Sequence, residues 1–292
     1  MSVVHRSASL DTMRCDVCGS SESRFILTSA RLDGPLVRCR VCGLHYVGGR
    51  RHDLVFGNEP PAATVARIRA ANVAFAELPR DEERRLNRLN ADWRLAWIRR
   101  FQPAGRLLEV GCARGDFLRA ARASFEVWGV EPNPDLAADA RLDAPVHGGL
   151  LDQAPWSDFD VIASFHVIEH VDSPSRLVRE MVRRLKPGGL LALETPNIGA
   201  LPYRVWRARW RQFIPEHYYF FDPRTVTRLL EDQGLAVQRI VRIGKYASIG
   251  FLLNRLGRHL PARRGRPRAR MALGSMTFRV NPLDIMLVLA TV

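Results

Sequence analysis

The sequence predicts an α/β chain, a mostly parallel sheet with helices on both faces, preceded by a small cysteine-rich module. Three observations predict it. Apolar strand-like runs alternate with helical stretches from about residue 81 to the end. A turn of small residues, Gly111-Cys112-Ala113-Arg114-Gly115, joins one of those runs to a helix. Four of the five cysteines form a doubled C-x2-C pattern ahead of all this.

Composition limits the function classes. With 292 residues, 47% hydrophobic and 25% charged, the chain has ordinary globular usage, which excludes wholesale disorder. No apolar run approaches the roughly 18 residues of a membrane span. The longest, Ile285 to Val292, is strand-sized, and the first residues lack the apolar stretch of a secretory signal. A cytoplasmic protein without a membrane span is expected. The 44 basic and 30 acidic residues leave a net charge of +14, and only Lys186 and Lys245 are lysine. From Gln233 to Leu283 there is no acid, yet eleven basic residues lie there. The excess is local, and the remainder of the chain is nearly balanced.

The elements follow in order. Cys15, Cys18, Cys39 and Cys42 are spaced C-x2-C, twenty residues, C-x2-C, the pattern of a tetrahedral zinc site. Gly19 and Gly43 each follow the second cysteine of a pair, where the turn asks for positive φ. RFILTS, LVRC and LHYV read as short strands, so residues 1–50 form a zinc ribbon, too small for a stable core without structural Zn2+. The ribbon has no dense basic cluster, so a structural or substrate-positioning role is expected rather than base recognition. His45, three residues after Cys42, is read as a packing or surface residue. Residues 51–80 read as a linker, rich in turn formers from Gly48 to Pro61, and an Ala-rich helix over 62–78. A helix from Asp81 to Phe101 places Leu86, Leu89, Trp93 and Trp97 on one face, and Pro103 ends it.

The strand Leu107 to Val110 leads into the small-residue turn, whose backbone can approach a ligand and whose helix offers free N–H groups. The next strand, EVWGV, ends at Glu131, twenty-two residues after Glu109, and an acid there is placed to accept both hydroxyls of a ribose. No G-x-x-G-K-[ST] loop is present, which argues against a nucleoside triphosphate.

These residues carry a resemblance. Glu109 to Leu118 resembles the first motif of class I S-adenosylmethionine-dependent methyltransferases, and Gly129 to Asn133 their second. Phe159 to Val171 (FDVIASFHVIEHV) is similar to their fourth-strand motif, and Leu185 to Asn197 to the turn and fifth strand after it. LVRCRVCGLHYV and IPEHYYFFD resemble a bacterial group, with an N-terminal ribbon, acting on sugars and other secondary metabolites. The resemblance implies a Rossmann-like seven-stranded sheet over 81–292 and S-adenosyl-L-methionine as cofactor. Glu109 would approach the methionyl end, and the backbone at Gly111, Ala113 and Gly115 would line it. Glu131 would hold the ribose, Leu151 would lie on the adenine side in the segment 149–152, and Phe165 and His166 would flank the methionine moiety. Two departures stand: Ala113 where many members have glycine, and no acid directly after Gly149, which leaves a backbone N–H or Asp152 for adenine. LAVQRIVRI would be strand six and DIMLVLATV the last strand, antiparallel beside strand five. Residues 244–281 are then a basic insertion between them, expected away from the strand tips that hold the cofactor.

Methyl transfer to a hydroxyl needs alignment and removal of a proton, for which histidine is suited. His166, His170 and His217 are the candidates. Each has a structural alternative: shaping the pocket for His166, capping the following helix for His170, loop packing for His217. Tyr203 to Arg211 alternates aromatics and arginines, either a lid over an anionic acceptor or an amphipathic helix with Tyr203, Trp206 and Trp210 inward. The leading expectation is a small-molecule methyltransferase, O-methylating a sugar or similar intermediate, with an acceptor that could be anionic. An RNA methyltransferase gripping phosphate through ribbon and insertion is the alternative, although no N-P-P-Y-like or D-P-P-Y-like signature follows strand four. Peripheral membrane contact through the insertion is a further option, and nothing in the sequence sets the oligomeric state.

Overall fold

The computed structural model describes residues 14–49, 80–249 and 276–292. The expected helix at 62–78, the linker and most of the Arg-rich run lie outside the described residues. The main sheet contains β4 (Gly105–Val110), β5 (Phe125–Val130), β6 (Val146–His147), β7 (Phe159–Phe165), β8 (Leu185–Pro196), β10 (Ala236–Arg242) and β13 (Ile285–Thr291). Their order is β10-β13-β8-β7-β4-β5-β6. The pairs among β4 to β8 are parallel, and β13 is antiparallel to both β8 and β10. Strands covered on both faces read as continuous apolar runs, and VIASF and IMLVLA are of that kind.

Alternate side chains feed two core layers. Leu107, Val161, Ala163, Leu190 and Leu287 face helices α1 (Arg80–Ile98), α2 (Asp116–Ala121) and α3 (Pro134–Ala140). Leu108, Ile162, Leu191 and Val288 face α4 (Pro174–Val182) and α6 (Pro223–Glu231). The buried stripe of α1 is Leu86, Ala91, Leu95 and Ile98. It is rotated from the expected one, so Trp93 and Trp97 sit at its rim, partly buried. Ser173, not His170, caps α4: its side chain accepts from Arg176 N, with Pro174 at the first helical position.

After β8 a short helix α5 (Leu201–Trp206) stops at Arg207, whose φ is 45°. The break separates the aromatics expected to face inward together. Tyr203 and Trp210 are buried, but Trp206 is 58% exposed.

The ribbon strands β1 (Ser23–Leu27), β2 (Leu36–Cys39) and β3 (His45–Val47) form an antiparallel sheet, and a fourth strand completes it from far along the chain. This is β9 (Tyr219–Phe220), paired His45 to Phe220 and Tyr46 to Tyr219. Cys15, Cys39, Leu44 and Tyr46 belong to the same core as Tyr218, Tyr219 and Phe221. The ribbon is therefore built into the larger domain.

The described ends of the insertion, expected away from the strand tips, lie beside them. Because β10 is parallel to β4 and β8 it exits at their C-terminal edge, and antiparallel β13 must enter there. The insertion's two roots pair as β11 (Lys245–Ser248) and β12 (Thr277–Val280) and pack on α1: Tyr246 N donates to Asn90 Oδ1 at 2.9 Å. Lys245 Nζ lies 3.8 Å from Glu194 Oε1 at the tip of β8.

Candidate active site

The turn after β4 is shaped by three residues with positive φ: Gly111 at 77°, Ala113 at 45° and Gly115 at 76°. A Cβ on Gly111 would collide with Val167 Cγ2, so glycine is required there for space as well as for φ. Ala113 carries the left-handed strain of an L-residue. Glu131, at the end of β5, accepts from Ala113 N and Asn133 N, both at 2.9 Å. Burial raises its carboxyl pKa, and those two backbone bonds oppose the rise.

Glu109 is 5% exposed, and its Oε2 is buried without a partner. Burial pushes its pKa well above the carboxylate range against the pull of Arg94. At the far end of the row of strand tips, Asp152 Oδ2 pairs with Arg176 at 3.1 Å while Oδ1 is buried and unpartnered. Leu151 is buried beside it. Acceptor oxygens thus stand at the tips of β4 and β5 and just beyond β6. Those acceptors match in kind the donors that S-adenosylmethionine offers, an ammonium, a ribose diol and an adenine amino group.

Phe165 ends β7, with Phe117 edge-on at 4.8 Å and the Arg94 guanidinium 4.3 Å from its ring centre. Next, His166 adopts φ 58°. Its Nδ1 is 2.9 Å from Glu169 Oε1, and its Nε2 is 2.8 Å from Glu194 Oε1, near but poorly aligned for a hydrogen bond. Arg94 binds Glu194 in a fork at 2.6 and 2.8 Å. Burial alone would raise Glu194, but Arg94 and His166 hold it well below the usual range. Glu169 behaves alike: burial is outweighed by the His166 hydrogen bond and neighbouring imidazoles, and its pKa is lowered to about 2.

His170 and His217 come together from two segments, ring centres 4.6 Å apart. Backbone carbonyls engage the Nδ1 of each: Glu216 O for His170 at 2.9 Å and Gln212 O for His217 at 2.7 Å. Burial lowers both pKa values, that of His217 to about 3, so both rings are neutral near pH 7. One donor atom from each of Glu169, His170 and His217 lies within 4.8 Å of the others.

The four ribbon thiols also converge within 4.8 Å of one another, with Cys15 to Cys42 at 3.4 Å and Cys18 to Cys39 at 3.5 Å. Bonds of roughly 2.3 Å to tetrahedral zinc imply S–S edges of roughly 3.8 Å, so the cluster fits that ion with little adjustment. His45 stands apart from it, on β3 against the ring of Tyr203.

Sequence reading missed Arg94 and Glu194. The signal for Glu194 was available, an acid inside the apolar run LLALETP. Arg94 had none, since its partner is 100 residues away. The arginines proposed as a lid are partly committed: Arg211 forks onto buried Asp284, which also accepts from Trp210 Nε1.

The family described as a methyltransferase domain matches residues 81–240. The ubiquinone biosynthesis O-methyltransferase of Xanthomonas axonopodis pv. citri is 30% identical over 160 residues, 48% of this chain and 67% of that protein. Its counterpart in Thiobacillus denitrificans is 29% identical over 203 residues, 60% of this chain and 87% of that protein. A chain from the Haloferax volcanii complex of the Trm112 methyltransferase activator with a methyltransferase superposes with TM-score 0.52 at 19% identity, covering 78% of this chain and 96% of that one. A SAM-dependent methyltransferase from Archaeoglobus fulgidus gives 0.50 at 19% identity, covering 70% and 94%. At that identity the structural likeness is one of fold.

Proposed function

We infer the reaction from one premise: the chain belongs to the methyltransferase-domain family and is a class I S-adenosylmethionine-dependent methyltransferase. We propose that its acceptor is the hydroxyl of a small molecule, a sugar or a related biosynthetic intermediate. Relatives that O-methylate in ubiquinone biosynthesis support oxygen as the atom methylated. The sugar is supported by the ribbon and the PEHYYFF segment, which resemble the sugar-modifying group.

The bound cofactor supplies an electrophilic methyl group on a positively charged sulfur. The chain's own residues do the rest. Glu109 pairs with the ammonium, Glu131 accepts the ribose hydroxyls, Asp152 accepts from adenine, and Phe165 closes the apolar side of the methionyl chain. His166, between Glu169 and Glu194, has both nitrogens turned to carboxylates and orients the floor of the site. The observation that carries the acceptor reading is the His170–His217 pair: two neutral imidazoles with Nδ1 tied back to carbonyls, so that Nε2 is the nitrogen open to a proton. Glu169 favours the charged form of both rings and stabilises the imidazolium once the hydroxyl has given up its proton.

We also propose structural Zn2+ on Cys15, Cys18, Cys39 and Cys42. The test of the reaction is release of S-adenosylhomocysteine with a panel of sugar and phenolic acceptors at saturating cofactor. His170→Ala and His217→Ala are each expected to lose about 10²–10⁴-fold. Losses of only a few-fold at His166, His170 and His217 alike would remove the histidine base. Gel shifts at two salt concentrations should show no RNA binding; salt-sensitive binding would favour an RNA acceptor.

A further inference from the structure

The two imidazoles of the pair lie on segments between regular elements, and both segments are tied to the ribbon. Asp16 sits inside the first cysteine knuckle. Its Oδ1 accepts from Ser173 Oγ at 2.5 Å and its Oδ2 from Ser175 N at 2.7 Å, which anchors the start of α4, three residues beyond His170. On the other side, Val47 N of β3 donates to Tyr218 O at 2.9 Å, and β3 pairs with β9, which begins two residues after His217. The two segments are then cross-tied. Tyr218 N donates to Glu169 O at 2.8 Å, and Tyr219 Oη to Asp172 O at 2.8 Å. The result is a closed ring of contacts: knuckle, α4 start, His170, His217, β9, β3 and back to the knuckle.

We propose that the ribbon is the positioning element of the acceptor side of the site, with Asp16 and the edge of β3 that pairs with β9 holding His170 and His217 together. Among the described residues these hydrogen bonds of the ribbon go to the start of α4 and to Tyr218, not to the tips of β4 and β5 where the cofactor side is built, so the two halves of the site can be perturbed separately. This rests on the reading of the histidine pair given above. Asp16, spent on Ser173 and Ser175, acts through the loop it anchors. The four thiols fit an ion that would lock the knuckle carrying Asp16, so metal occupancy of the ribbon acts on the acceptor side first.

The test uses the full chain with isotope-labelled histidine. Ring resonances of His170 and His217 report the pair, amide exchange at Tyr218 and Tyr219 reports the tie, and calorimetry with S-adenosylmethionine reports the other half-site. Asp16→Ala is expected to shift both ring signals and accelerate those amides by about tenfold or more, with cofactor affinity held within about twofold. Asp16→Glu should restore the signals in part, and removal of metal by a chelator should reproduce the Asp16→Ala spectrum. If Asp16→Ala fails to fold, the isosteric Asp16→Asn, which loses one acceptor, should show the same shifts reduced. Unchanged rings and amides in the Asn or Ala variant would overturn the proposal. So would an equal acceleration across β4 and β5 with parallel loss of cofactor binding, because the effect would then be general. If His170→Ala and His217→Ala keep turnover while the Asp16 variants still move the rings, the histidine-base reading fails and the positioning role stands.

Discussion

Glu109 is a buried carboxyl with one oxygen unpartnered, which suits it to the role proposed for it, pairing with the cofactor's ammonium. Its pKa is raised by burial in the free protein, so pairing with an ammonium draws it back to the carboxylate. Cofactor binding should therefore release a proton, and affinity should rise with pH; calorimetry in buffers of different ionisation enthalpy measures both. Glu109→Gln should weaken binding by roughly tenfold to a hundredfold, the worth of a hydrogen bond to a charged group, and abolish the proton release. His217 gives the opposite kind of test. Its native pKa of about 3 lies below the ordinary 6.5, so the native chain binds fewer protons than the unfolded chain between those values. The stability it contributes is complete above about pH 6.5 and falls as pH drops toward about 3. Urea titrations of His217→Gln should show a shallower acid slope than the parent. Individual ligands were readable because each sits in a local pattern: cysteines in knuckles, Glu131 at a strand end. Arg94 and Asp16 were not, because their partners are distant in sequence.

At the level of elements, the turn between β4 and α2 is specified by conformation more than by side chains. Gly111→Ala should lose both stability and cofactor affinity, since the new Cβ meets Val167 and φ is 77°. Adding Val167→Ala should recover the steric part and leave the backbone part, about 1 kcal/mol. Ala113→Gly should raise the melting temperature slightly, because relief of about 1–2 kcal/mol of left-handed strain exceeds the entropy cost of glycine. Arg94 joins α1 to β8 through buried Glu194, so Arg94→Ala should cost about 3–5 kcal/mol by stranding a charge, read by denaturant titration. The strands of the main sheet were legible as apolar runs bounded by turn formers. The inward face of α1 was not, because tryptophan satisfies helical spacing equally well at the rim of a stripe as at its centre. The end of α5 was not either, since nothing in RVWRARWR marks Arg207 for positive φ.

Over the whole molecule, the ribbon and the larger domain share one core and one small sheet. A chelator that strips the ribbon should therefore lower the melting temperature of the entire chain in a single transition, rather than release a separate minor one; calorimetry distinguishes the two. Both roots of the basic insertion rise at the rim of the site, and Lys245 reaches Glu194. Among the described residues no helix is long and apolar enough to cross a membrane.

What the amino-acid sequence determined by itself is whatever local spacing can encode. The doubled knuckle, the small-residue turn, the acid closing the second strand and the alternation of strand with helix all act over a few residues, and they were enough for fold and cofactor class. The tertiary structure decided which distant groups meet. Pairing β9 with β3 joins residues more than 170 positions apart and brings His217 to His170. The antiparallel entry of β13 puts the two described ends of the insertion, β11 and β12, beside the strand tips. Contacts of that range are set by sheet order and by burial in a common core, and no short stretch of sequence contains them.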